Sequence, residues 1–331
     1  MAKQSKKPPV EDFVLALNQA AEQPASPEFL ALIREGLTHR HWMAVEQAAR
    51  LVARHQLQDF DAELAAVFAR FRENGAKTDP GCRAKAAALT TLDGLERFDP
   101  EPFLEAIRYA QHEPALGGAV DTAAGVRQRA TFALLRQCHS EGLLYAAERL
   151  ADPELAVRIG VAEALGVYGG PGAAALVIHR LLARDEPDVL LACASSALNL
   201  ESDFATPLLR AWLHGSDDAS REIAALAFGQ SKRAEHVELL IEWADELGFE
   251  RDIELSIRAL SMQRSERARK YLLELVSGSS PSKARSAANA LAEHRYDAQL
   301  ARALADAASR SPHPAVRRLV ETLLKSAGTG G

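Results

Sequence analysis

The sequence predicts an all-α protein, an α-α superhelix in which paired antiparallel helices stack as a solenoid. Hydrophobic residues make up 47% of the chain but aromatics only 6%, and the excess is alanine and leucine, which suit closely packed helices better than sheets. Almost no strand is expected. One helical sequence shape also recurs at a fixed period over the C-terminal two thirds, the mark of stacked repeats. Finally, 331 residues is long for one compact core but ordinary for an array whose units touch only their neighbours.

The chain starts "MAKQSKKPPVEDF", polar and without a following apolar run, so it reads as neither signal peptide nor anchor. Residues 1–8 are expected to form a mobile tail, and a terminal helix from Val10 to Gln23 to cap the array. "SPEFLALIREGLTHRHWMAVEQAARLVARH" reads as a helix pair. "FDAELAAVFARFRENGAKTDPGCRAKAAALTTLDGLERF" reads as another, followed by a helix in "PEPFLEAIRYAQ". Residues 9–111 are thus divergent repeats. The stretch "HEPALGGAV" then adds about ten residues, since Leu92 and Leu134 lie 42 apart. Residues 112–120 are expected as an inserted loop, and insertions in solenoids often form one binding rim.

From Asp121 the pattern is regular. "DTAAGVRQRATFALLRQ", "DPELAVRIGVAEALGVYGG", "EPDVLLACASSALNL", "DASREIAALAFGQS", "RDIELSIRALSMQ", "PSKARSAANALAEH" and "PHPAVRRLVETLLKS" each pair a turn rich in Asp, Pro or Ser with a helix. Their last large apolar residues are Leu134, Leu165, Leu198, Phe228, Leu260, Leu291 and Leu323, in steps of 31, 33, 30, 32, 31 and 32. Other amphipathic segments such as "AEHVELLIEWADEL" lie between them. A period near 32 holding two helices requires neighbours to stack before either can bury its apolar face. The regular array should run over 121–326 as one continuous solenoid from residue 9, leaving 327–331 as a tail.

These residues resemble HEAT repeats, in particular the short bacterial type shared with phycobilisome-lyase-like proteins. The resemblance implies an armadillo-type fold and a ladder in which a turn aspartate meets an arginine early in the second helix. Asp121 with Arg127 and Asp152 with Arg158 match that spacing of six. Arg221, Arg285 and Arg317 keep the arginine slot, whereas Leu190 and Glu254 lose it. In this reading Asp121 or Thr122 caps the helix that follows. The segments "DPGC", "QHEPALGG" and "DTAAGVR" together also resemble a group of bacterial HEAT-repeat proteins, which bears on fold alone.

The net charge of −6 is unevenly spread. Residues 1–139 hold 17 Lys/Arg against 18 Asp/Glu, residues 140–262 hold 10 against 21, and residues 263–325 hold 12 against 6. The array should therefore be acidic in its middle and basic near its end. No run of apolar residues is long enough to span a bilayer, and the expected location is cytoplasmic. Cys82, Cys138 and Cys193 are widely spaced among alanines and leucines and read as buried free thiols.

No catalytic constellation stands out, and neither a cofactor nor a metal is expected. His112 and Glu113 beside Gly117-Gly118 could form a site with Asp121, Arg127 or Arg83, but a helix end, a turn and a cap explain them more simply. His39, His41 and His55 lack metal-ligand spacing. "GGPG" from Gly169 has no following Lys-Ser/Thr and reads as a helix stop. Trp212 and Trp243 read as packing residues, and Trp42 reads as a core residue too, though it is the tryptophan nearest to a surface anchor.

The leading expectation is a non-enzymatic scaffold binding a protein or peptide on a concave face lined by second helices. His112, Glu113, Asp121, Arg127, Arg158 and Arg221 are its candidate binding residues. One alternative is a lyase-like enzyme holding a large prosthetic group, as the repeat family suggests. The other is nucleic-acid binding through the basic patch Arg264, Arg267, Arg269 and Lys270, disfavoured by the scarcity of aromatics for base stacking.

Overall fold

The computed structural model describes residues 9–96, 99–248, 250–294 and 296–325. The expected tails at 1–8 and 327–331 lie outside the described residues, as does Arg295 of the basic segment. Two compact units are present, one ending at Leu176 and the other starting at Val177.

The first unit holds α1 (Val10–Ala20), α2 (Pro27–Thr38), α3 (Trp42–His55), α4 (Asp61–Arg72), α5 (Gly75–Thr78), α6 (Arg83–Gly94) and α7 (Glu101–Ala106). Strands β1 (His112–Ala115) and β2 (Gly118–Asp121) follow, then α8 (Ala124–Arg136), α9 (Gly142–Arg149) and α10 (Leu155–Tyr168). Helix α11 (Pro171–Ala183) contains the boundary. The second unit continues with α12 (Pro187–Asn199), α13 (Ala205–Leu213), α14 (Asp218–Gln230), α15 (Ala234–Glu246) and α16 (Glu250–Gln263). It ends with α17 (Glu266–Gly278), α18 (Pro281–Ala292), α19 (Ala298–Arg310) and α20 (Pro314–Lys325).

Within each unit the second helix of every pair lies against the second helix of the next. In the first unit that row is α3, α6, α8 and α10; in the second it is α12, α14, α16, α18 and α20. First helices pack likewise, α2 on α4, and α15 on α17 on α19. The architecture is all-α and HEAT-like. The markers that revealed the period form the seam between helices: Leu134, Leu165, Phe228 and Leu260 have no exposed surface, and Leu198 and Leu291 only 2%. Each such side chain contributes about 1.5–3 kcal/mol by leaving water.

Close approach of second helices fixes small residues. Gly229 of α14 faces the backbone of α16, where an added Cβ would stand 2.8 Å from the Ala259 carbonyl oxygen. The "GGPG" segment does end one helix and start another, as α10 stops at Tyr168 and α11 starts at Pro171.

The insertion at 112–120 is not an irregular loop. It forms an antiparallel hairpin in which His112 pairs with Asp121 and Ala115 with Gly118. Gly117 (φ +101°) and Gly118 (φ +142°) adopt backbone angles that side-chain-bearing residues avoid, so the pair reverses the chain over Leu116-Gly117. Strand pairing then satisfies backbone groups that a loop would leave to water.

One cysteine departs from expectation. Cys82 and Cys193 are buried, and burial pushes their thiols up to about 11 and about 12. Cys138, just after α8 has ended, is exposed.

Candidate binding surface

The N-terminal edge of α6, α8 and α10 is held by a buried ionic network. Arg127, 3% exposed, starts one turn into α8. Its Nε and Nη2 donate to the two carboxylate oxygens of Asp152, each at 2.8 Å, and its Nη1 donates to Asp121 at 2.6 Å and to the Tyr109 carbonyl at 2.9 Å. Burial alone would raise both carboxyls. Hydrogen bonds and the guanidinium charge outweigh it, so Asp121 and Asp152 are held below the usual carboxylate range. Arg149 adds a further bond to Asp152 at 2.8 Å.

Asp121 does not act as a helix cap in the expected way. Its Oδ1 accepts the N–H of Gln111 and of Ala123, two residues on, which closes a turn before the helix. Thr122 instead bonds the Gln111 carbonyl and the Glu113 carboxylate.

The arginine slot has one recurrent job: it ties down the turn six residues upstream. Arg158 Nη1 donates to the Asp152 carbonyl at 2.7 Å, Arg221 Nη2 to the Gly215 carbonyl at 2.6 Å, and Arg317 Nη1 to the Ser311 carbonyl. Arg221 also meets Asp218 at 2.7 Å and Asp252 at 3.3 Å. All these arginines lie three residues after the first residue of their helix. Arg285 does not. It lies four after Pro281, so it is rotated out of the seam and exposed, and Ala284 fills the slot. In α16 the slot belongs to Ile253 by the same count, not to Glu254.

One rung escaped the sequence reading. Lys85 and Asp79 are completely buried, paired at 3.0 Å, and Lys85 Nζ also donates to the Phe71 carbonyl at 3.1 Å. The Asp79 carboxylate accepts the N–H groups of Ala84 and Lys85 as well. The same spacing of six marks this pair, but with lysine for arginine and behind a Pro-Gly-Cys turn.

The hairpin rises beside this edge. Glu113 anchors its base, its Oε1 accepting from the Gly81 N–H at 2.7 Å, from Gln111 Nε2 at 2.6 Å and from Thr122 at 2.7 Å. Burial would raise this carboxyl, yet those three donors hold it below its usual range. Gln111 Nε2 also reaches the Asp79 carbonyl at 3.0 Å, which links the hairpin to the buried Lys85 rung. His112 is exposed. At the tip Leu116 is fully exposed (109%), and Val120 is 51% exposed.

Trp42, Trp243, His39 and His41 resolve as packing or capping residues. Trp42 is half-buried beneath Arg83, whose guanidinium lies 4.9 Å from the ring, and Trp243 is buried. His39 stacks on Phe13, and His41 caps α3 by accepting from the Met43 N–H. Of the basic patch, Arg267 is paired with Glu238 at 2.8 Å, while Arg264, Arg269 and Lys270 are exposed. Among the described residues no helix is long and apolar enough to cross a membrane.

No family model matches the chain, and no curated protein does. Solved structures resemble it only remotely, two of them as follows. One is an engineered protein from the Northeast Structural Genomics Consortium, 16% identical over 98% of this chain and 97% of that one, with a TM-score of 0.35. The other is human deoxyhypusine hydroxylase in complex with glycerol, 17% identical over 86% of this chain and 96% of that one, with a TM-score of 0.29.

Proposed function

We propose that the protein is a non-enzymatic scaffold that binds a protein or peptide along the edge where α6, α8 and α10 begin, with the β1–β2 hairpin as its contact element. The observation behind this reading is the contrast within the hairpin. Its base is fixed by Glu113, Gln111 and Thr122, while its tip holds a leucine wholly in solvent. An exposed apolar side chain on a preorganised support loses little entropy on binding. In this reading Asp121, Arg127, Arg158 and Arg221 hold turns and hairpin in place. Contact with the partner falls to His112, Leu116 and Val120.

A photo-crosslinking residue placed at position 116 tests the proposal in lysate of the native cell. One discrete protein adduct is expected, together with loss of that partner from Leu116→Asp in a pull-down while the helical circular dichroism stays unchanged. Retention of the partner by Leu116→Asp would remove the hairpin from the function.

A further inference from the structure

The β1–β2 ribbon has two outer edges, and they differ. The Thr122 N–H donates to the Gln111 carbonyl at 2.9 Å, and the register sets Glu113 opposite Val120 and Ala115 opposite Gly118. In an antiparallel ladder, hydrogen-bonded pairs alternate with non-bonded ones. The bonded pairs are therefore Gln111 with Thr122, Glu113 with Val120 and Ala115 with Gly118. The backbone groups of His112, Pro114, Ala119 and Asp121 point away from the neighbouring strand.

On β1 this outward row is broken, because Pro114 has no N–H to offer. On β2 it is complete. Ala119 and Asp121 each hold out one N–H and one C=O, and among the described residues none of these four groups has a hydrogen-bond partner. The Asp121 carboxylate is turned to Gln111, Ala123 and Arg127, which holds the strand in place without occupying its edge. Such an edge is a template for another strand.

The face that carries Gly118 and Val120 adds a side-chain preference. Residues two apart on a strand share a face, and beside an added strand both would stand in non-hydrogen-bonded pairs, where side chains come closest. Val120 is 51% exposed, and a Cβ built on Gly118 would meet nothing within 4 Å. An incoming residue opposite Gly118 thus finds open space with a valine at its flank. Aromatic and β-branched side chains gain most from such a cross-strand neighbour.

We propose that the β2 edge seats an extended segment of a partner protein as a third strand, bonded to Ala119 and Asp121, with an aromatic or β-branched side chain opposite Gly118 and against Val120. An edge about 13 Å long cannot by itself bury the roughly 1,200–2,000 Å² of a stable dimer. It does match one extended segment held at modest affinity, so the occupant belongs to another protein and is not a second copy of this chain. The inference rests on the hairpin reading and deepens it, since it gives the partner's backbone a role beside the contact at Leu116.

The full-length chain is panned against a display library of random dodecapeptides, and enriched sequences are resynthesised for fluorescence anisotropy. Enriched peptides should share an aromatic or β-branched residue. N-methylation of single peptide bonds should abolish binding at alternate positions and spare the positions between, a pattern that strand pairing imposes. Ala119→Pro removes one outward N–H opposite Pro114, a place where the ribbon already holds a proline, and should weaken binding about tenfold. Pro114→Ala completes the other edge and should leave the affinity unchanged. Peptides that tolerate N-methylation throughout, or that bind Ala119→Pro equally well, overturn the edge and leave the hairpin tip standing, which the crosslink at position 116 tests separately. Failure of any peptide to enrich overturns the edge in the same way, and tighter binding by Pro114→Ala overturns the choice of β2. A dimer of the free chain that Ala119→Pro dissolves, seen by light scattering, overturns the foreign segment in favour of a second copy.

Discussion

Arg127 donates two parallel hydrogen bonds, each 2.8 Å long, to the carboxylate of Asp152 in the turn of the next helix pair. A third bond, to Asp121, stays within its own pair. One side chain therefore stitches a repeat to itself and to its neighbour. Removing it leaves the Asp121 carboxylate without its counter-charge and the buried Asp152 with Arg149 alone.

Arg127→Met keeps the stem's bulk and removes the guanidinium. Breaking a buried ion pair from one side costs about 3–5 kcal/mol. In a Trp212→Phe/Trp243→Phe background, Trp42 alone reports on the first unit. Its urea midpoint should drop sharply with Arg127→Met, and an unchanged midpoint would show that the network contributes nothing to stability.

Much of the fold was legible because core packing has a period. A residue such as Leu165 or Phe228 must return to the seam each time a helix pair is added, and the chain writes that requirement at intervals near 32. The polar slots were less legible, because one residue of helical phase rotates a side chain by about 100°. Arg285 therefore resembles Arg317 in sequence but points elsewhere. Gly117 and Gly118 carried the hairpin signal, yet a Gly-Gly pair also suits a loop, and only the pairing of His112 with Asp121 decides between them. The acidic middle was legible in sum but not in effect, since arginines such as Arg251 and Arg267 neutralise acids a repeat away.

The phase argument is directly testable. Arg317→Ala removes a charged donor from the Ser311 carbonyl and should cost about 1–3 kcal/mol. Arg285→Ala removes a solvated side chain and should stay within about 0.5 kcal/mol of the parent. Thermal melts of the two variants side by side measure the difference, and equal shifts would refute the assignment of the slot.

Acid should weaken the second unit before it weakens the first. His236 is buried, with Nδ1 2.7 Å from the Ser231 hydroxyl and Nε2 3.4 Å from Thr206. Burial lowers its pKa below the ordinary 6.5, and Glu235 only partly opposes this. The unfolded chain thus binds the proton first, so stability is complete above pH 6.5 and falls as the pH drops from there toward the folded-state value. Asp121 and Asp152 titrate below their ordinary 3.8 in the fold, so the first unit's ionic network loses its contribution only at more acidic pH. Urea midpoints of the second unit at pH 7.5 and pH 5.5 should differ more in the parent than in His236→Gln, and an equal difference would exonerate the histidine.

Gly229→Ala sets two known effects against each other. Alanine gains about 1 kcal/mol over glycine in a helix interior, and less at Gly229, the last residue but one of α14. Here the added methyl would meet the Ala259 carbonyl oxygen at 2.8 Å and its Cα at 3.0 Å. Both atoms are backbone, so no rotamer change relieves the clash, and α14 and α16 must separate. Overpacking of this kind costs about 1–3 kcal/mol, and separation also loosens the seam around Phe228 and Leu260. A net destabilisation is expected, measured as a lower urea midpoint by the fluorescence of Trp243 in a Trp42→Phe/Trp212→Phe background. A stabilised variant would mean that the two helices can part without loss, and that glycine at this position is not a packing requirement.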